Sequence, residues 1–329
     1  MTTAAPDTMR AILQDAYGSA DEWRAGEIAI PKITDKEVLV KVAAAGLDRG
    51  TWHLMTGLPY LGRLAFGIRK PKNPVPGRDL AGTIVAVGSS VTRFAVGDAV
   101  FGIGIGSFSE YAAVREGKLA RTPESLTPAQ AAVVPISGLT ALHAVRDAGR
   151  LQKGQGVLIV GASGGVGSYA VQLAKTFGAN VTGVCSTTKT DLVRNLGADR
   201  VIDYTQDDFA DGTQRYDLVL DIGGSSSLSR LRRALTPNGT LVIVGGEQGG
   251  NLTGMGRQVR ALMLSPFVSQ RLTMLVPKEN YLDLERLAEL IEGGELTPSV
   301  DREFPLEQAA DAMRQLVAGT VQGKLAITI

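Results

Sequence analysis

The chain has 329 residues, 44% hydrophobic and 20% charged, a balance that excludes an intrinsically disordered polymer and leaves room for two ordinary domains. Its 40 glycines follow no Gly-X-Y period, so collagen is excluded and the glycines must serve turns and close backbone approaches. A net charge of +1 leaves no nucleic-acid footprint, and no apolar stretch reaches the roughly 18 residues of a membrane span.

The first eight residues read as a loose tail, with no basic segment ahead of an apolar core. One cysteine, Cys185, excludes an intrachain disulfide, and a cytoplasmic protein is expected. Residues 9 to about 134 are rich in short alternating runs and Gly turns, such as 37–46, 80–88 and 97–104. They predict a mostly antiparallel, barrel-like domain. The basic run Arg63 to Arg78 is broken by prolines and reads as a solvated loop.

From about residue 135 the texture changes. Apolar runs at 157–161, 180–185, 200–203, 218–223, 240–245 and 272–276 have the continuous character of parallel strands covered on both faces. Helical patterns separate the first of them, which predicts a doubly wound α/β sheet. In the first connecting helix Val166, Ala170, Leu173, Ala174 and Phe177 share one face, and Gly178 ends it. Two amphipathic helices at 282–294 and 306–318 and a terminal strand from Lys324 are expected to return to the first domain. The domains are therefore read as 1–134 with 277–329, and 135–276.

The sharpest motif is Gly161-Ala162-Ser163-Gly164-Gly165-Val166-Gly167, between the first parallel strand and its helix. A dinucleotide fingerprint needs small residues there for a tight turn, close backbone approach to a pyrophosphate and helix–strand packing. Ala162 takes the first place of G-x-G-x-x-G, followed by Gly164 and Gly167. The free amides of the helix start then meet the anion. An NAD site places an acid at the end of the second strand. Here that strand ends in Cys185-Ser186-Thr187-Thr188-Lys189, with no acid before Asp191. Hydroxyls and an ammonium suit a 2′-phosphate, so Ser186 and Lys189 point to NADPH.

These residues resemble the medium-chain dehydrogenase/reductase superfamily, in its zinc-free quinone oxidoreductase branch. The resemblance runs through 76–102, 106–114, 135–142, 161–179 and 196–205. It implies a GroES-like β-barrel catalytic domain, a Rossmann domain and usually a homodimer. It also implies that Lys189 and Tyr204, fifteen residues apart, hold the 2′-phosphate. Thr140, Val244 and Gly245 match positions at the nicotinamide end, and Lys324 matches a basic residue that reaches the pyrophosphate.

Zinc relatives carry a catalytic Cys, a Gly-His-Glu and a four-cysteine lobe. Here Asp48 takes the first place, Gly77-Arg78-Asp79 the second, and the lobe is missing. One Cys and two His do not supply the three or four N/S ligands of a zinc site, so no metal is expected. Cys185 and His143 read as packing residues. Without a Lewis acid, an activated small-molecule acceptor is favoured, a quinone or an α,β-unsaturated carbonyl. Candidates for the chemistry are His53 as proton donor, Asp48 orienting it or anchoring substrate, and Tyr60 lining the pocket. The Asp48 and His53 places often hold Asn and Tyr in the branch. The glycine-rich 245–270 reads either as a flap over the substrate or as a disordered surface loop. A metal-independent carbonyl or alcohol oxidoreductase and a non-catalytic NADPH-binding protein remain open alternatives.

Overall fold

The computed structural model describes residues 7–245, 250, 253–276 and 278–329. Most of the expected N-terminal tail, residues 1–6, lies outside them, as do 246–249, 251 and 252 of the expected flap. The chain forms two compact units, one of 1–136, 279–292 and 300–329, the other of 137–278 and 293–299.

The first unit opens with β1 (Thr8–Gln14) and β2 (Trp23–Ala29), an antiparallel pair. It continues through β3 (Glu37–Leu47), β4 (Asp79–Val87), β5 (Ala99–Ile103), β6 (Tyr111–Arg115) and β7 (Leu119–Arg121). Val38, Val40, Val42, Leu80, Ile84, Val100, Val114 and Leu119 point inward from these strands at alternating positions and build one core.

The second unit holds β8 (Gly156–Val160), β9 (Asn180–Cys185), β10 (Arg200–Asp203), β11 (Tyr216–Asp221), β12 (Leu235–Ile243) and β13 (Arg271–Met274). All pair in parallel, in the order β10-β9-β8-β11-β12-β13. That is the order of a Rossmann sheet, whose switch point lies between β8 and β11. Val157, Leu158 and Ile159 are fully buried, as the unbroken apolar run requires. The helix Gly165–Thr176 follows β8, and Gly178 (φ +75°) turns the chain away after it. Sequence periodicity gave this helix one apolar face, but Tyr169 and Val171 are fully buried too. A second side is covered by the segment 293–299, where Gln172 accepts from the Thr297 amide (2.8 Å) and donates to the Thr297 carbonyl (3.0 Å).

The chain ends in the first unit. β14 (Val300–Pro305) lies parallel to β15 (Lys324–Thr328), and β15 pairs antiparallel with β3, completing the order β14-β15-β3-β4-β5-β7. Leu325 and Ile327 are fully buried with Leu47, Phe108 and Met313 in a second core. The expected flap contributes a helix, Gly256–Leu264, within its described part. Among the described residues no helix is long and apolar enough to cross a membrane.

Both tryptophans, Trp23 and Trp52, belong to the first unit, so their fluorescence reports its unfolding. Leu325→Ala should lower that unit's stability in a urea titration by about 2–5 kcal/mol, the usual range for a buried leucine truncated to alanine.

Candidate active site

In the second unit the turn after β8 is built from backbone alone. A Cβ on Gly167 would lie 2.1 Å from the Gly161 carbonyl oxygen, and one on Gly161 would lie 2.9 Å from the Gly223 amide nitrogen. Gly161 adopts φ +90°, which side-chain-bearing residues rarely take. A Cβ on Gly164 would instead meet only the Gly161 carbonyl oxygen at 3.6 Å. Ala162 is fully buried, and both its amide and that of Gly161 donate to the Val184 carbonyl, which ties the turn to β9. Ser163 is 7% exposed. Gly164 is the N-cap of Gly165–Thr176, and among the described residues no side chain caps that helix. The amides of Gly165, Val166 and Gly167 could therefore hold an anion such as a pyrophosphate.

Ser186 is half-buried at the end of β9, and its backbone carbonyl accepts from the Lys189 amide (2.9 Å). Tyr204 is 58% exposed, and its amide donates to the Cys185 carbonyl (3.1 Å), which fixes it beside the same strand end. The sequence reading found no acid before Asp191, but β10 ends in register with β9 and brings Asp203 opposite Cys185. Asp203 accepts from Thr187 (2.5 Å), Thr205 (2.8 Å) and Gln206 (3.0 Å) side chains. Led by the Thr187 bond, these hold its carboxyl below the usual range. Burial first, and Asp203 second, push the Cys185 thiol up to about 11, so it is an inert core residue.

At the end of β11, fully buried Asp221 is clamped by Arg257, which also donates to the Gly224 carbonyl. Burial raises the Asp221 carboxyl above its ordinary value, and Arg257 opposes the rise. The Asp221 carbonyl accepts from both the Val244 and Gly245 amides. A Cβ on Gly245 would meet the Ile222 carbonyl oxygen at 2.2 Å, so glycine is required there. Thr140 lies half-buried on the helix Pro135–Leu142.

In the first unit, Asp48 caps the helix Arg49–Thr56, its Oδ1 accepting from the Thr51 amide (2.8 Å) and hydroxyl (3.2 Å). His53 lies on that helix, and its Nδ1 is 2.7 Å from the Leu58 carbonyl. A carbonyl only accepts, so Nδ1 carries a hydrogen and Nε2 is the exchangeable atom. Leu58, rather than Asp48, orients the ring. Tyr60 is 49% exposed, with the Arg63 guanidinium 4.8 Å from its ring centroid.

Lys324, expected at the pyrophosphate, is 2% exposed within the first unit. Its Nζ lies 3.4 Å from Asp79 Oδ2 and 3.9 Å from Asp48 Oδ2. Asp79 is fully buried, and its Oδ1 accepts from the Ile136 amide (3.0 Å). Burial, only partly offset by Lys324, raises its carboxyl to about 7, and Asp48 adds to the rise. Sequence spacing did not reveal this cluster, because its members are separated by most of the chain.

Comparison with known proteins agrees with this architecture. Residues 34–124 match the alcohol dehydrogenase GroES-like domain family, and 196–327 match the family described as zinc-binding dehydrogenase. The chain is 31% identical over 336 residues to the chloroplast envelope quinone oxidoreductase homolog of Arabidopsis thaliana, covering 97% of this chain and 98% of that protein. It is 32% identical to the NADPH-dependent alkenal/one oxidoreductase of the same plant, covering 98% and 80%. The quinone oxidoreductase structure from Coxiella burnetii superimposes with a TM-score of 0.87 at 27% identity, covering 98% and 99%. The chain belongs to the medium-chain dehydrogenase/reductase superfamily, in its quinone oxidoreductase branch, and is an oxidoreductase. Cys185 is buried in β9, His143 Nδ1 accepts from the Lys278 amide (3.3 Å), and His53 Nδ1 is held by Leu58. Among the described residues no three His, Cys, Asp or Glu converge.

Asp79 gives the stability a pH signature. Its folded value of about 7 exceeds the unfolded value near 3.9. Between these the folded state holds a proton that the unfolded state has released, so this group's contribution falls as pH rises from about 4 to 7 and is constant above. Asp79→Asn should gain stability relative to the wild type across that window in urea unfolding. Parallel pH profiles would contradict the assignment.

Proposed function

We propose that this protein is an NADPH-dependent reductase that delivers a hydride to a quinone or an α,β-unsaturated carbonyl compound, without zinc, as a cytoplasmic homodimer. The observation that carries the reading is the glycine turn after β8, where among the described residues no side chain caps the helix start and backbone packs on backbone. Gly161 to Gly167 would hold the pyrophosphate. Ser186, Lys189 and Tyr204 would hold the 2′-phosphate, and Thr140, Val244 and Gly245 the nicotinamide end. Asp203, at the same strand end, accepts from Thr187, Thr205 and Gln206, and Lys189 is the cation this reading assigns to the phosphate.

Bound NADPH supplies the hydride. The chain's own task is the proton: His53, held through Nδ1, would as the imidazolium donate its Nε2 proton as the reduced acceptor accumulates negative charge, leaving the neutral ring with its hydrogen on Nδ1. Asp48 and Lys324 position the His53 helix rather than touch substrate. The exposed side chains of Tyr60, Leu61, Leu64 and Phe66, shortly after that helix, favour an apolar acceptor. The homodimer is supported by β13, which has one neighbour at the sheet edge, and by exposed Met263 (69%), Phe267 (84%) and Val276 (66%).

Purified protein should oxidise NADPH with 1,4-quinones or enones and not with simple ketones. His53→Ala should lower kcat on the better acceptor by on the order of 100-fold with NADPH affinity unchanged. Ketone turnover alone would replace this reading with a carbonyl reductase, and cofactor binding without turnover would remove the enzyme. Lys189→Ala should weaken NADPH binding by at least about 1.5 kcal/mol, the lower range for a lost charged hydrogen bond, and leave NADH little changed in calorimetry.

A further inference from the structure

The N-terminal edge of the parallel sheet carries a second polar site. An open cleft of about 280 Å³ is lined there by Arg150, Gln155, Asp217, Thr236, Asn238 and Arg271, among others. Gln155 directly precedes β8, Asp217 is the second residue of β11, and Arg271 opens β13. The glycine turn follows the opposite end of β8, roughly 15 Å away at about 3.3 Å per residue.

Three features of this cleft need an explanation. First, Arg150 and Arg271 share it, and among the described residues neither forms an ion pair with a carboxylate. Burial, and then the neighbouring Arg150, lower the Arg271 guanidinium from its ordinary value, so two uncompensated cations face one space. Arg271 is held in place by its bond to the Ala148 carbonyl. Second, the only acid of the lining, Asp217, is turned to other groups: one oxygen accepts from the Gly156 amide (2.9 Å) and the other from Thr236 (3.5 Å). Third, Arg150 adopts φ +54°, the one positive φ on a non-glycine residue among those described. Such a conformation costs free energy and persists where the surroundings or a ligand hold it.

We propose that this cleft binds a phosphate group, clamped between the Arg150 and Arg271 guanidiniums. Guanidiniums match phosphate geometrically, and a dianion removes the repulsion between them. The side-chain amides add donors: Gln155 Oε1 accepts from the Gln152 amide (2.9 Å), leaving its NH₂ to donate, and Asn238 supplies another.

The test is calorimetry and thermal unfolding of the whole chain in inorganic phosphate against chloride at equal ionic strength, with glycerol phosphate as a second probe. Phosphate at tens of millimolar should raise the unfolding midpoint by roughly 2–5 °C beyond chloride. Arg150→Gly suits the observed φ and should fold, and it should lose at least fivefold in phosphate affinity, as should Arg271→Gln. Response to inorganic phosphate alone would assign the site to the free anion, and response to both probes to a phosphate ester. No shift beyond chloride, or full phosphate affinity retained in both variants, would overturn the proposal. The second outcome would place the anion at the glycine turn instead. Turnover of NADPH plays no part in the readout, so this test and that of the reductase activity fail independently.

Discussion

The 2.1 Å that would separate a Gly167 Cβ from the Gly161 carbonyl oxygen leaves the second unit one way to join its first strand to its first helix. Backbone must touch backbone. Because it does, the helix begins with no side chain over its amides, and the Gly161–Gly223 approach brings the loops after β8 and β11 together. Those are the two strands between which the sheet order reverses, where α/β sheets place their ligands. The same steric economy returns at Gly245, packed on the Ile222 carbonyl beside a doubly used Asp221 carbonyl. The glycine turn and the end of β12 are thus specified by what cannot fit.

The first unit works through charge. Two carboxylates and one ammonium are sealed together at Asp48, Asp79 and Lys324, with Asp48 Oδ2 lacking a hydrogen-bond partner among the described residues and Asp79 wholly removed from water. Unequal numbers of buried charges are costly unless a proton makes up the difference, and Asp79 is the group that takes it. Asp48 and the Gly77-Arg78-Asp79 stretch are the places where zinc relatives carry metal-associated residues. A cation still occupies the neighbourhood of those acids, supplied by the chain itself.

The Rossmann strands and their helix were legible because each is a continuous apolar run or a 3.6-residue pattern, signals that local sequence carries by itself. The glycine turn was legible because its residues are consecutive. What escaped was whatever depends on register or on long separation in the chain. Asp203 is eighteen residues beyond Cys185, and only parallel pairing sets the two side by side. The Asp79–Lys324 contact closes over 245 residues. Asp48 read as a possible partner for His53 from proximity in sequence. Helix geometry turned it to Thr51, because a residue in the capping position meets the amide three residues on. The buried second side of the helix Gly165–Thr176 depended on 293–299, whose polar composition gave no hint of it.

That segment has a consequence for synthesis. A chain leaving the ribosome presents all six strands of the parallel sheet by Met274, yet Gln172 meets its partner Thr297 only after a further helix, Tyr281–Glu292, has emerged. The other unit waits longer still, because β15 lies between β14 and β3 and is translated last of the three. Until then β3 exposes the edge that β15 will cover, along Ala44 to Leu47. Neither unit is complete before residues 293–299 and β15 have been made, and the nascent protein must keep an unfinished sheet out of reach of its neighbours until β15 arrives.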